Sequence, residues 1–408
     1  MANVLFIRNG VSGRFAFLAQ ALLARGDRCA LINGPGGSAI PGVATFTWNI
    51  DRQPPDYEFS PATRPNEDLL RAFAAVRAAE HIRNEGFVPD LIVGHSGWGE
   101  MALLREVFPK ARQIQLAEYY YRSRGTDIDF DPEFADLTLG KAVTVAAKNA
   151  VLSMSLASAD RIVTPTAFQA SVLPPAFAAM ARVIHEGVDT NLARPRPDVK
   201  LQLSSGMVLD RSSPVVTFVN RSFEPLRGFH TFMRALPHLL DGAPDVQVLV
   251  IGADSPNIYG MPPAAGGAWK EVMLAEMGDR IDPARVNFVG SLPYDQLISV
   301  LSISTAHVYL TYPFVLSWSL LDAMACECLL VGSDTAPVRE VIKHGETGLL
   351  VDFFDHRALA ETLIEACRNS DAYAPLRRAA RSKVVAEYDR TSVCEPAWLA
   401  LIDEVLSG

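Results

Sequence analysis

Residues 306–334, AHVYLTYPFVLSWSLLDAMACECLLVGSD, run from an apolar β-like segment (306–312) through a turn at Pro313 into helical text from Ser317, then into a second apolar segment, CLLVGSD (328–334). Two such strands separated by one helix cannot pair through a tight turn. They make a parallel pair joined by a right-handed crossover. Upstream, PVVTFVN (214–220), a helix at 229–240, VQVLVIG (246–252), VNFVG (286–290) and a helix at 294–302 continue the alternation. The first half has the same grammar: NVLFIRN (3–9), a helix at 15–25, RCALING (28–34), a helix at 68–85, DLIVGHS (90–96), RQIQLAE (112–118), DRIVTPT (160–166) and RVIHEGVD (182–189). Between the halves lies an irregular, proline-bearing stretch at 193–213. The expected fold class is α/β, with two doubly wound domains at 1–195 and 205–385 and a C-terminal helical segment, 386–408, free to pack back on the first. Facing sheets of this kind place the carboxyl ends of their strands around an interdomain cleft, so chemistry is expected in loops that follow strands.

The chain has 408 residues, enough for two to three domains at roughly 150 residues each. Its 37 Lys and Arg against 46 Asp and Glu give a net charge of −9, which offers a nucleic acid nothing in the total. The five cysteines are scattered in apolar or helical text, as reduced core thiols are; Cys326 and Cys328 form a lone C-x-C without the second half a metal site needs. No basic, apolar and cleavable leader opens the chain, and Asp322 and Glu327 interrupt the longest apolar window. The expectation is a cytoplasmic protein, with peripheral contact at the inner face of a membrane left open.

Four groups of residues follow strands and carry charge or backbone freedom. The loop Asn9-Gly10-Val11-Ser12-Gly13 leads into a helix, whose N-terminus with close backbone approach at Gly10 and Gly13 suits an anion; a plain tight turn is the alternative. Arg221 and Arg227 share FVNRSFEPLRGF, and two guanidinium forks can neutralise a diphosphate; solvated surface arginines are the alternative. In the quoted segment Ser317 or Ser319 is placed to cap a helix, with Asp322 in its first turns, where a carboxylate also simply complements the helix dipole. His95 ends a strand between open glycine-bearing turns and can serve a hydroxyl or a proton transfer, or be structural.

Taken together, these pieces resemble the retaining nucleotide-sugar glycosyltransferases of family 4, which have the GT-B fold. The resemblance runs through DRIVTPTAFQASVLP (160–174), RVIHEGVD (182–189), NRSFEPLRGFHTFMRAL (220–236), VNFVGSLPYDQL (286–297) and, most specifically, LLDAMACECLLVGSDTAPVREVIKHGETGLLVDFFDHRALAETL (320–363). It implies that Arg221 is the phosphate arginine and that Arg227 stands where a lysine is usual. Asp322 matches the second glutamate of an acidic pair that holds ribose hydroxyls, while the first, eight positions earlier, is replaced by Phe314. It further implies that His95 lies near the donor sugar, that Gly10 and Gly13 approach the phosphates, and that backbone groups near Ser291 and Leu292 meet the base. The N–H groups of Val315, Leu316 and Ser317 are left to meet sugar or phosphate.

The acid- and aromatic-rich tract at 118–134 falls where such enzymes hold acceptors, making Glu118, Tyr120 and Asp127 acceptor candidates. No cofactor or metal is expected: Asp127, Asp129 and Asp131 alternate, but not in the context of donor phosphates. Expected partners are a nucleoside-diphosphate sugar and a saccharide, lipid-linked or protein acceptor. The rival reading is a catalytically weak nucleotide- or partner-binding protein on the same scaffold, motivated by Phe314. An epimerase would need an acid/base set that the sequence does not show.

Overall fold

Val4, Leu5, Phe6 and Ile7 are all fully buried in β1 (Asn3–Arg8). Because successive strand side chains point to opposite faces, Val4 and Phe6 join one core and Leu5 and Ile7 another, so this strand is covered on both sides. The computed structural model describes residues 1–10, 13–51, 60–255, 258–264 and 266–408. Around β1 lie β2 (Arg28–Asn33), β3 (Ala44–Thr47), β4 (Leu91–His95), β5 (Arg112–Leu116), β6 (Arg161–Thr164) and β7 (Ala181–Val183), in the order β3-β2-β1-β4-β5-β6-β7. Every pairing is parallel.

A short antiparallel pair, β8 (Leu201–Gln202) and β9 (Val208–Leu209), occupies the stretch read as irregular linker. Then come β10 (Val215–Ser222), β11 (Gln247–Ala253), β12 (Val286–Gly290), β13 (Ala306–Tyr309), β14 (Leu329–Ser333) and β15 (Leu349–Val351). They form a second parallel sheet in the order β12-β11-β10-β13-β14-β15.

The chain divides into two compact units, Met1–Gly187 with Thr391–Gly408, and Val188–Arg390. The first unit therefore ends before residue 195, because Val188 and Ala193 already pack into the second unit's core. The strand expected over 182–189 is confined to Ala181–Val183; beyond it His185 Nδ1 accepts from the Gly187 N–H and the chain turns away. The C-terminal stretch is two helices, Ala374–Tyr388 in the second unit and Glu395–Ser407 in the first. Trp398, Leu401, Ile402 and Val405 of the latter are buried in the same core as Phe6 and Phe15.

The long helix of the first unit, Thr63–Asn84, starts ahead of the 68–85 expected and lays Ala74, Ala75, Ala78, Ala79 and Ile82 on the sheet. All five cysteines are free thiols, and four are buried. Among the described residues no helix is long and apolar enough to cross a membrane.

Candidate functional site

In the second unit the site is built on the end of β10. The ladder with β11 slips between Val219 and Ser222, which turns Arg221 outward while Ser222 stays buried. Gly252 on β11 has φ 151° and lies so close to Asn220 that a Cβ would overlap the Asn220 carbonyl oxygen; this contact needs glycine. A single 3-10 turn, Pro225–Arg227, follows, and Gly228 at φ 69° starts the helix Phe229–Gly242 with its Cα tight against Leu310.

The two arginines are thereby given different surroundings. Arg227 is 7% exposed, and its Nη1 donates to Thr311 Oγ1 at 3.1 Å and to the Val315 carbonyl at 2.7 Å. Its guanidinium also lies 5.6 Å from the Phe314 ring centroid. Among the described residues, Nε and Nη2 of Arg227 have no hydrogen-bond partner. Arg221 is exposed and lies 4.4 Å from the Tyr259 ring centroid.

Between them in sequence, Glu224 is buried. Burial raises its carboxyl above the usual range, against the pull of the Gly260 and Tyr259 N–H groups and of Arg227 and Arg221.

The segment after β13 differs from expectation in its donors. The helix is Ser319–Ala325, capped by Trp318 without a side-chain bond, so neither serine is the cap; the Ser317 hydroxyl instead accepts from the Ser319 N–H at 3.4 Å. The Ser317 N–H donates to Tyr309 Oη at 2.6 Å, which removes it from the donors expected to meet a phosphate. The Val315 carbonyl holds Arg227, and Leu316 packs on the core. Phe314, where the resemblance implied a carboxylate, is 4% exposed.

Asp322 is 5% exposed and accepts the Tyr294 hydroxyl at 2.8 Å. Burial pushes its carboxyl up to about 6, although Tyr294 and the charge of Arg390 pull the other way. Ser291 and Leu292 link β12 to the Tyr294–Ile303 helix, so they lie on the loop that leads to this tyrosine.

In the first unit His95 ends β4, and its Nδ1 accepts from the Gly97 N–H at 3.1 Å. That fixes the remaining proton of a neutral ring on Nε2, which lies 3.1 Å from Glu118 Oε2. Both nitrogens thus have partners inside the unit. A sugar hydroxyl expected to meet His95 would have to displace one of them.

Glu118 also accepts Arg14 Nη2 at 2.8 Å, and Arg14 Nε reaches Glu186 Oε1 at 3.1 Å. Burial alone would raise the Glu118 carboxyl, but Arg14 and the His95 bond hold it well below the usual carboxylate range. Neither Arg14 nor Glu186 was a site candidate in the sequence: Arg14 follows the glycine loop, and Glu186 falls in the strand-like segment 182–189, where it reads as shaping the turn before the linker. Gly10 has φ 77°, with open space where a Cβ would go, and Gly13 also faces open space; Val11 and Ser12 of that loop lie outside the described residues.

The acceptor tract is largely occupied by its own bonds. Tyr119 donates to Asp127 Oδ1 at 2.8 Å and Asp127 is buried, so that carboxylate is committed to a tyrosine rather than presented to a ligand. Tyr120 Oη shares a hydrogen bond with Ser153 at 3.2 Å. Asp129 accepts the Gly125 N–H, and Asp131 accepts that of Glu133.

Comparison with known proteins decides the family. The family described as glycosyl transferases group 1 matches residues 206–383, and the glycosyl transferase family 4 group matches 25–193. The chain belongs to glycosyltransferase family 4. Among curated relatives of this family 4 chain, D-inositol 3-phosphate glycosyltransferase of Mycolicibacterium vanbaalenii is 29% identical over 212 residues, covering 51% of this chain and 46% of the relative. Alpha-maltose-1-phosphate synthase of Mycolicibacterium smegmatis is 30% identical over 227 residues, covering 52% and 54%. The chain spans about half the length of the curated relatives it matches.

Sucrose-phosphate synthase from Thermosynechococcus elongatus superimposes with a TM-score of 0.78 at 19% identity over 100% of both chains. Anabaena Alr3699/HepE, solved with UDP and glucose, gives 0.65 at 16% over 99% of this chain and 100% of its own. The family 4 chain has the GT-B fold.

Proposed function

We propose that this protein is a glycosyltransferase that moves a sugar from a nucleoside-diphosphate donor to a hydroxyl acceptor with retention at the anomeric carbon. The observation that carries the reading is the arginine pair at the end of β10 and in the turn that follows: Arg221 exposed, and Arg227 anchored through Nη1, with no hydrogen-bond partner for Nε and Nη2 among the described residues. Two cations at the carboxyl end of a parallel strand suit a diphosphate whose charge grows as it departs. Asp322, joined to Tyr294, supplies a carboxylate for ribose hydroxyls.

In the proposed reaction the bond from the anomeric carbon to the diphosphate oxygen breaks while the acceptor oxygen bonds to the same face. The acceptor proton passes to the departing oxygen, so no side-chain nucleophile is required. Positioning and charge stabilisation then supply most of the rate. The relatives named for an inositol phosphate and for maltose 1-phosphate favour a phosphorylated polyol or sugar as acceptor class.

No metal is assigned a role, and turnover in EDTA is the proposal. The test is to offer UDP-, GDP-, ADP- and dTDP-sugars with sugar phosphates in EDTA and to read product configuration by proton NMR. An axial product from an axial donor supports the reading; inversion, or restoration of lost turnover by a divalent ion, overturns its finer parts.

A second reading, a nucleotide-binding protein with little transfer, is favoured by Phe314, buried where the family resemblance implied a carboxylate. It gains if wild type binds nucleotide without transfer and Phe314→Glu acquires transfer.

A further inference from the structure

Tyr259 is 48% exposed, yet it has contacts to Glu224, Phe314 and Arg221. Its backbone N–H and that of Gly260 donate to Glu224 Oε2 at 2.9 and 2.7 Å. Its ring lies 5.6 Å from that of Phe314, tilted by 55°. The Arg221 guanidinium carbon lies 4.4 Å from the Tyr259 ring centroid.

Glu224 lies between the two arginines in sequence, on the segment that joins the end of β10 to the turn carrying Arg227, and is 2% exposed. A carboxylate so buried is tolerable only while its bonds are kept, so it ties the segment carrying Tyr259 to the arginine loop. The close fit extends to Gly260, where a Cβ would stand 3.3 Å from Glu224 Oε2. The outcome is a continuous row of Arg227, Phe314, Tyr259 and Arg221, with a guanidinium at each end and two rings between.

Whatever freedom a long side chain at the surface keeps is lost when it is ordered on a ligand, and that loss opposes binding. A fixed aromatic face lets much of that ordering happen at folding instead. We propose that Tyr259, anchored through Glu224, is the positioning residue that pre-sets Arg221 for a nucleoside diphosphate, an inference that rests on the donor-site reading above. Tyr259 acts through Arg221, and its hydroxyl has no part in the effect. The ring lies at the exposed arginine of the pair, and the buried one, Arg227, bonds Thr311 and Val315.

The experiment is calorimetric titration of the full chain with UDP, GDP, ADP, CDP and dTDP. The tightest binder is then carried into Tyr259→Ala, Tyr259→Leu, Tyr259→Phe, Arg221→Ala and the double variant Tyr259→Ala/Arg221→Ala. Tyr259→Ala and Tyr259→Leu are expected to weaken binding by about 3- to 10-fold, and Tyr259→Phe to stay within about twofold of wild type. The leucine variant keeps bulk against Phe314 and so separates the aromatic face from packing. The double variant is expected to bind no more weakly than Arg221→Ala, since the missing ring has nothing left to position. Unchanged affinity in both Tyr259→Ala and Tyr259→Leu, or losses that multiply in the double variant, would overturn the inference while leaving the donor site standing. Failure of wild type to bind any of the five nucleotides overturns the donor-site reading and this inference together.

Discussion

Tyr294 donates its hydroxyl to Asp322 Oδ1 at 2.8 Å, tying the start of the helix after β12 to the helix after β13. With its carboxyl raised from 3.8 to about 6 by burial, the folded protein holds the Asp322 proton more tightly than the unfolded chain does. This group's stabilising contribution is complete below pH 3.8 and is lost as pH rises through 6. Asp322→Asn should therefore be more stable than wild type at pH 8, by about 2–3 kcal/mol at most, with the gain shrinking toward pH 4. The same variant should bind nucleoside diphosphate at least about tenfold more weakly at pH 8, because an amide offers ribose hydroxyls a poorer acceptor. Urea melts and titrations at both pH values check the pair; a variant that loses stability at pH 8 would contradict the burial argument.

Arg227 is as much a scaffold as a ligand group. Arg227→Ala leaves the Val315 carbonyl without its donor and opens space beside Phe314, which should cost about 2–3 kcal/mol in chemical denaturation. Arg221→Ala, at an exposed position, should stay within about 1 kcal/mol of wild type. Equal stability of the two variants would show that the Thr311 and Val315 bonds contribute little.

Glu118 should report on acid stability in the opposite sense from Asp322. Its carboxyl is held well below 4.5, so its contribution is present above pH 4.5 and lost as pH falls through the folded-state value. Charged hydrogen bonds of the kind it accepts from Arg14 are worth about 1.5–3 kcal/mol, and Glu118→Gln should lose that much at pH 7 and progressively less below 4.5. A pH-independent loss would assign the effect to packing.

Trp398 is fully buried in the first unit and meets Phe15 edge-on with ring centroids 6.2 Å apart. Trp398→Ala should cost about 3–5 kcal/mol, and its hydrogen exchange should speed up in β1 and in helix Ala16–Ala24. Exchange confined to 391–408 would mean that the C-terminal helix is not integral to that core.

The alternation of apolar strands with helical text was enough to place both sheets, because parallel strands buried on both faces leave near-continuous runs such as VLFI at 4–7 and VQVLVIG at 246–252. Strands as short as Leu349–Val351 left no such run, and the split of the C-terminal stretch at residue 390 depends on which core takes Trp398. In the candidate site, Arg221 and Arg227 drew notice as cations at the end of a strand and in the turn that follows it, and Asp322 as a carboxylate in the first turns of the helix after β13. Tyr259 was not: it lies in an irregular tract without periodicity, and its relation to Arg221 depends on Glu224, whose role appears only once the loop is folded. His95 showed the converse, a histidine conspicuous in sequence whose two nitrogens are engaged by Gly97 and Glu118.

The most direct test of the donor site is the thermal midpoint of wild type and Arg221→Ala with saturating UDP, GDP, ADP, CMP and dTDP in EDTA. Ligand bound only by the native state at 100 times its Kd adds about 2.7 kcal/mol, a readily measured rise. The account predicts a rise with at least one diphosphate, little with CMP, and loss of most of that rise in Arg221→Ala. No rise with any nucleotide, or an equal rise in wild type and variant, would contradict it.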